Sequence, residues 1–258
     1  MKIAITGKGG VGKTTLAGLL ARGLASQGLT VLAVDADPDA NLAGAIGISA
    51  ERAEEIAPFS QMKQLARERT GASGDGFFKL NPTVADLPQQ FALEHQGVKL
   101  LKMGGVEQAG GGCVCPEHTL LRALMRHLLV KSDECVVMDM EAGIEHLGRG
   151  TAEAVDMLVV VVEPGQRSLQ TAMQAETLAK ELGIKRVAFV ASKVQGQDDL
   201  EFVQQGLGTS RRLLGHLSWS EALRGADRRG DSPFDCQGEF IAEAAAIQTQ
   251  LQQELRHV

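Results

Sequence analysis

The first fifteen residues constrain this chain more than any other stretch. Met1-Lys2-Ile3-Ala4-Ile5-Thr6 is a short, largely apolar run that breaks into Gly7-Lys8-Gly9-Gly10-Val11-Gly12-Lys13-Thr14-Thr15. Leu16, Leu19, Leu20 and Leu24 then recur at helical spacing, so the order is strand, glycine-rich loop, helix. Gly7 to Thr14 spells G-x-x-x-x-G-K-T, the spacing of a phosphate-binding loop. Glycines let a backbone take positive φ and turn its N–H groups toward phosphates, and the helix start adds its dipole. In such a loop Lys13 is expected at the β and γ phosphates of ATP, or on ADP, with the Thr14 hydroxyl on Mg²⁺. The plain alternative, a glycine-rich turn with a surface lysine, does not explain its place between a strand and a helix.

Lys8 sharpens the reading. Lys-Gly-Gly-Val-Gly-Lys-Thr-Thr resembles the deviant Walker A loop of the dimeric ATPases that include the nitrogenase iron protein, septum-site and plasmid-partition ATPases, and metal-centre maturation factors. In those families the extra lysine reaches the partner's nucleotide, so the resemblance implies a homodimer closing face to face over two ATPs and gives Lys8 a catalytic part. Judged without the family, a plain solvated lysine stands as the alternative.

A chain of 258 residues with 44% hydrophobic content can bury a full core, and the expectation is one phosphate-loop domain over 1–258. Its class is α/β, a doubly wound, mainly parallel sheet. The net charge of −6 and the lack of a dense Lys/Arg tract argue against a nucleic-acid partner. The first strand starts at residue 2, and no apolar run approaches the ~20 residues needed to span a bilayer, so no leader, no membrane and a cytoplasmic location are expected. Four cysteines in that compartment do not read as a disulfide framework.

Farther along, Leu29 to Val34 is a buried-type strand ending in Asp35-Ala36-Asp37-Pro38-Asp39. Acidic groups past a strand's carboxyl end lie where open α/β sheets bind ligands. Asp37 matches the first switch of the same ATPase class, where the aspartate positions or activates the attacking water; a simple Asp/Pro turn is the other reading. Glu51 to Arg69 suggests a surface helix broken at Pro58, Thr70 to Gly76 a loop, and Val98 to Met103 a further strand.

Gly104 to Gly112 leads into Cys113-Val114-Cys115-Pro116. Pro116 suits the first position of a helix whose buried stripe is Leu120, Leu121, Leu124, Met125, Leu128 and Leu129. Cysteines at a helix N-terminus are favoured as thiolates, and an extended Cys-x-Cys projects both sulfurs to one side. Two thiolates are half of a tetrahedral site; a symmetric partner's pair would complete it for Zn²⁺ or Ni²⁺ shared between two subunits. Incidental buried cysteines remain the alternative. His118 reads as exposed on the helix's first turn, and Cys135 and Cys236 as structural.

Cys135 to Asp139 is another buried strand ending in an aspartate. Asp139 would hold Mg²⁺ through water, and the Gly143 N–H could sense the γ-phosphate. Asp139-Met140-Glu141-Ala142-Gly143-Ile144-Glu145-His146-Leu147-Gly148-Arg149-Gly150-Thr151, with Cys113-x-Cys115 and the deviant loop, resembles the CooC family, accessory ATPases that mature the nickel–iron–sulfur centre of carbon monoxide dehydrogenase. The resemblance covers nearly the whole chain. It implies ATP hydrolysis and nickel insertion into a client enzyme, carbon monoxide dehydrogenase or an acetyl-CoA synthase.

The remainder completes the sheet: strands Met157 to Val162, Val187 to Ala191 and Leu213 to Leu217, with a helix from Gln166 to Leu182. Ser192-Lys193 stands where relatives commonly place an asparagine that reads adenine, so backbone around Asp231-Ser232-Pro233 is the candidate base contact, and Lys193 and Pro233 are counted among the nucleotide-binding residues. Phe240, Ile241, Ala244, Ala245, Ile247, Leu251 and Leu255 line a terminal helix, too poor in Lys/Arg for a membrane surface. Two other classes compete: a partition or cell-division switch binding a protein or membrane, and an ATP-driven electron donor with an Fe–S cluster. Met140 to Gly143 contains no cysteine, unlike the second switch of such donors.

Overall fold

The computed structural model describes residues 1–37, 39–72, 77, 79–104, 116–130, 134–141, 144, 147 and 149–256. Cys113, Cys115 and Gly143 lie outside the described residues, as does the side chain of His118.

The chain opens with β1 (Lys2–Gly7), α1 (Lys13–Ser26), β2 (Val31–Ala36), α2 (Leu42–Ile46) and α3 (Ala50–Glu54). A 3₁₀ turn at Phe59–Gln61 leads to α4 (Lys63–Thr70), α5 (Leu87–Phe91), β3 (Leu93–His95) and β4 (Val98–Lys102). Then come α6 (Pro116–Val130), β5 (Cys135–Met140), α7 (Arg149–Ala152), β6 (Met157–Val162) and α8 (Gln166–Leu182). The last elements are β7 (Val187–Val194), α9 (Gln197–Leu207), β8 (Arg212–Ser218), α10 (Glu221–Arg229), a 3₁₀ turn Pro233–Asp235, and α11 (Glu239–Arg256).

The strands form one eight-stranded sheet in the order β3-β4-β2-β5-β1-β6-β7-β8. Among the described residues only the β3–β4 pair is antiparallel, so the carboxyl ends of β1, β2, β5, β6 and β7 share one edge. From β1 the chain winds toward β2 and β4; after β5 it crosses β1 and winds the other way through β6, β7 and β8. Ligands collect where such a sheet reverses.

Side chains alternate across the central strands. Ile3, Ile5, Val137, Val159 and Val161 pack on one face with Leu16, Leu20, Phe240 and Ile247 from α1 and α11. Ala4, Val136, Met138, Leu158 and Val160 pack on the other with Leu120, Leu124, Leu128, Leu169 and Val203 from α6, α8 and α9. Both faces are covered, which is why these strands are continuous apolar runs rather than alternating ones.

The expected strand Met157–Val162 and helix Gln166–Leu182 match these elements at both ends, and α6 begins at Pro116. All six residues of its expected stripe are buried. The stretch around Pro58 breaks as expected, but into α3, the 3₁₀ turn and α4, with Phe59 and Ala66 carrying its burial. In α11 Ala245 is exposed and Gln248 buried, because successive residues turn by about 100° and 245 falls off the line of Phe240, Ala244, Ile247 and Leu251. The short β3 and the helices α9 and α10 were not anticipated; β3 and α10 have few buried residues and little apolar signal, whereas α9 carries an apolar stripe of Leu200, Val203 and Leu207 that packs on the core. Among the described residues no helix is long and apolar enough to cross a membrane.

Candidate nucleotide site

The glycine-rich loop leaves β1 at the reversal point. Gly7 (φ 150°) sits so close to β6 that a Cβ would fall on the Val161 carbonyl oxygen. Gly12 (φ 99°) caps α1, and a Cβ there would lie 3.0 Å from Ser192 Oγ on β7. An L side chain would be both strained and crowded at either position. Between them the Val11 amide donates to the Lys8 carbonyl at 3.3 Å, closing the loop, while Gly9 and Gly10 stay exposed. Lys13 is buried, its ammonium 3.5 Å from the same carbonyl, and Thr15 is half-buried on the first turn of α1.

On the β5 side, the Thr14 hydroxyl donates to Asp139 Oδ2 at 2.6 Å. Asp139 is fully buried, and its Oδ1 is the buried side-chain oxygen left without a hydrogen-bond partner among the described residues. Burial pushes its pKa up to about 7 against the opposing Thr14 hydrogen bond, with the Asp35 carboxylate pushing further up. A hydroxyl and an orphaned carboxylate oxygen suit Mg²⁺, which commonly takes one or two protein ligands and completes its shell with water and phosphate. The Thr6 hydroxyl donates to the Glu141 carbonyl at 2.8 Å, tying the segment after β5 to β1.

Parallel pairing sets Asp35 opposite Asp139. The Asp35 carboxylate accepts from the amides of Leu42 at 2.9 Å and Asp37 at 3.4 Å, so it shapes the turn that presents Asp37. Its pKa is raised to about 6, chiefly by burial. Asp37 is half-buried and accepts from the Asp39 amide at 3.0 Å. Lys8, Lys13, Thr14, Asp37 and Asp139 therefore converge on one edge of the sheet from three neighbouring strands.

The two remaining nucleotide-binding candidates separate. Lys193 adopts φ 59° and its ammonium donates to the Gly10 carbonyl at 2.5 Å, bringing β7 to the loop. Pro233 is buried in the last 3₁₀ turn, between Ser232, which donates to the Ala45 carbonyl, and Asp235, which pairs with Arg22. Arg22 lies nine residues beyond Lys13 on α1, about 13 Å along the helix axis. The structure thus brings Lys193, but not Pro233, to the phosphate loop.

Sequence reasoning passed over Asp35 in favour of Asp37, and missed Glu163 altogether. Glu163 follows β6 and sits 3.0 Å from the Lys8 ammonium and 3.6 Å from that of Lys193. A charged residue directly after the apolar run 157–162 was the available signal. With Lys193, Gln195 and Trp219 it lines an open cavity of about 670 Å³ beside the loop. Among the described residues no group of three or more His, Cys, Asp and Glu is placed to hold a metal ion.

The model of the CobQ/CobB/MinD/ParA nucleotide binding domain matches residues 2–234. The carbon monoxide dehydrogenase accessory protein CooC of Rhodospirillum rubrum is 54% identical over 253 residues, covering 96% of each chain. An uncharacterized ATP-binding protein of Methanocaldococcus jannaschii is 44% identical over 86% of this chain and 87% of its own. Among solved structures, a plasmid partition protein of Borrelia burgdorferi bound to AMPPNP superposes with a TM-score of 0.71 at 17% identity, covering 98% of each chain. The septum site-determining protein MinD of Pyrococcus horikoshii, complexed with Mg-ADP, gives 0.65 at 18% identity over 98% of this chain and 96% of its own. At such identities these two likenesses speak for the fold alone. The chain belongs to the CobQ/CobB/MinD/ParA family of nucleotide-binding domains and, within it, to the CooC family of carbon monoxide dehydrogenase accessory proteins.

Proposed function

We propose that this protein is a nucleotide-switched homodimeric ATPase that binds a metal ion through Cys113 and Cys115 and assists nickel insertion into a carbon monoxide dehydrogenase. The observation that carries the reading is 54% identity to CooC along almost the whole of both chains. A client nickel enzyme follows from that relative's role as an accessory protein.

The chemistry is ATP and water to ADP and phosphate, run by positioning and electrostatics. Loop amides from Gly9 to Thr15 hold the phosphates; Lys13, and Lys8 of the opposite subunit, balance the charge that spreads over the γ-phosphoryl oxygens. Asp37 orients the water in line with the bond to be broken. Thr14 and Asp139 would hold Mg²⁺, which supplies further charge neutralisation on the phosphates when bound. Gly143 would report the γ-phosphate to the segment after β5, and Lys193 would bind the nucleotide from the phosphate-loop side. Closing two subunits over ATP would bring two Cys-x-Cys pairs into one thiolate site for Ni²⁺ or Zn²⁺; hydrolysis would loosen it.

The test is the nickel content of carbon monoxide dehydrogenase made at low external nickel by cells with and without this protein. The reading expects nickel-poor enzyme in its absence, restored by the wild-type chain and not by Cys113→Ala/Cys115→Ala. Fully loaded enzyme without it would refute the reading.

A further inference from the structure

Lys8 does not project freely from its loop. Its ammonium is 3.0 Å from Glu163 Oε1, and Glu163 Oε2 lies 3.6 Å from the Lys193 ammonium, which in turn donates to the Gly10 carbonyl at 2.5 Å. One carboxylate thus joins the loop after β1, the end of β6 and the end of β7. The backbone of Glu163 is itself fixed: its amide donates at 3.1 Å to the hydroxyl of Ser168, which is buried on the first turn of α8. In the sheet, β6 lies on the opposite side of β1 from β5. The pair therefore draws Lys8 away from the Thr14–Asp139 corner.

We infer that Glu163 is a positioning residue that holds Lys8 within its own subunit until a nucleotide-loaded partner takes the lysine over. The inference rests on the proposed role of Lys8 at a partner's nucleotide. Two features make the hold reversible. Lys8 is 40% exposed and Glu163 25%, so water screens the pair and release costs little. Glu163 also keeps Lys193 when Lys8 leaves, so no carboxylate is stranded without a counter-charge. The highly charged phosphates of a partner's ATP are a stronger attractor for an ammonium than one screened carboxylate. Without them Glu163 wins, and the subunits have one fewer contact to close on.

The experiment compares wild type with Glu163→Gln, which keeps the side chain's size and removes its charge. Mass in solution is followed across an ATP titration, and ADP affinity is measured for Lys8→Ala with and without Glu163→Gln. An exposed pair of this kind predicts that Glu163→Gln reaches half-dimer at about two- to five-fold less ATP. In the Lys8→Ala background the glutamine should leave ADP affinity unchanged within about twofold, because there is no Lys8 left to release. An unchanged half-dimer point overturns the inference. So does a gain in ADP affinity without Lys8 as large as the dimer shift, since that marks a general field effect of the carboxylate. A wild type that stays monomeric at saturating ATP refutes the proposed dimeric switch itself, and the inference with it.

Discussion

Asp35→Asn tests the electrostatics of the site's acidic corner in the nucleotide-free protein. Asp35 has no exposed area, and burial raises its pKa from 3.8 to about 6 despite the amides of Leu42 and Asp37. A carboxyl with a raised folded value binds its proton more tightly folded than unfolded. Its contribution to stability is complete below the unfolded value of 3.8 and is lost as pH rises through the folded value of about 6. Linkage with those two values takes on the order of 1 kcal/mol from the wild type between about pH 5 and about pH 8. Asparagine does not titrate. It also exchanges one acceptor oxygen for an amide, an offset that is the same at every pH, and it relieves the upward push on the Asp139 carboxyl, which moves the comparison in the same direction. Urea unfolding of both proteins without nucleotide, at three pH values across this range, should show the variant gaining on the order of 1 kcal/mol on the wild type toward alkaline pH. A difference that stays flat, or that runs in favour of the wild type as pH rises, would refute the assignment of a buried, reluctantly ionised carboxyl.

Lys8→Ala and Asp37→Ala should each slow ATP hydrolysis about a hundredfold or more, measured as phosphate release; near-normal rates would remove them from the chemistry. Thr14→Ala strips Asp139 of its donor and should cost about 1–3 kcal/mol of stability while raising the Mg²⁺ needed for nucleotide binding, read by thermal unfolding and by ADP binding against Mg²⁺ concentration. Gly12→Ala, forced to positive φ against Ser192, should lose about 1–2 kcal/mol together with nucleotide binding, by the same two assays. Under anaerobic conditions with Ni²⁺ or Zn²⁺ and ATP, the wild type should hold roughly one ion per pair of chains and Cys113→Ala/Cys115→Ala none; a mutant that retains the ion would place the metal elsewhere.

Much of this was legible in the chain because the information is local. The phosphate loop spans nine consecutive residues, 7–15, whose glycines, lysine and hydroxyls act through the backbone they belong to. The apolar runs at 135–139 and 157–162 are long enough to announce buried strands. Their terminal position also marked Asp139, since a charged residue ending such a run must stand at the sheet's edge. Short β3 and the polar helix α10 carried too little apolar pattern to be seen, while the short stripe Leu200, Val203 and Leu207 was the available signal for α9.

Contacts that depend on strand order were a different matter. Glu163 meets Lys8 across 155 residues, and Lys193 meets Gly10 across 183. No spacing rule encodes either meeting; both exist because β6 lies beside β1, and β7 beside β6, when the sheet reverses direction. The same tertiary arrangement buried Asp35 and Asp139 side by side, raising both carboxyls, and carried Pro233 to the far end of α1 from the loop. By itself the sequence determined the glycines, lysines and hydroxyls of the phosphate loop, because one short segment supplies them all. Only the tertiary structure decided which distant charges face them, because electrostatic partnership depends on separation in space rather than along the chain.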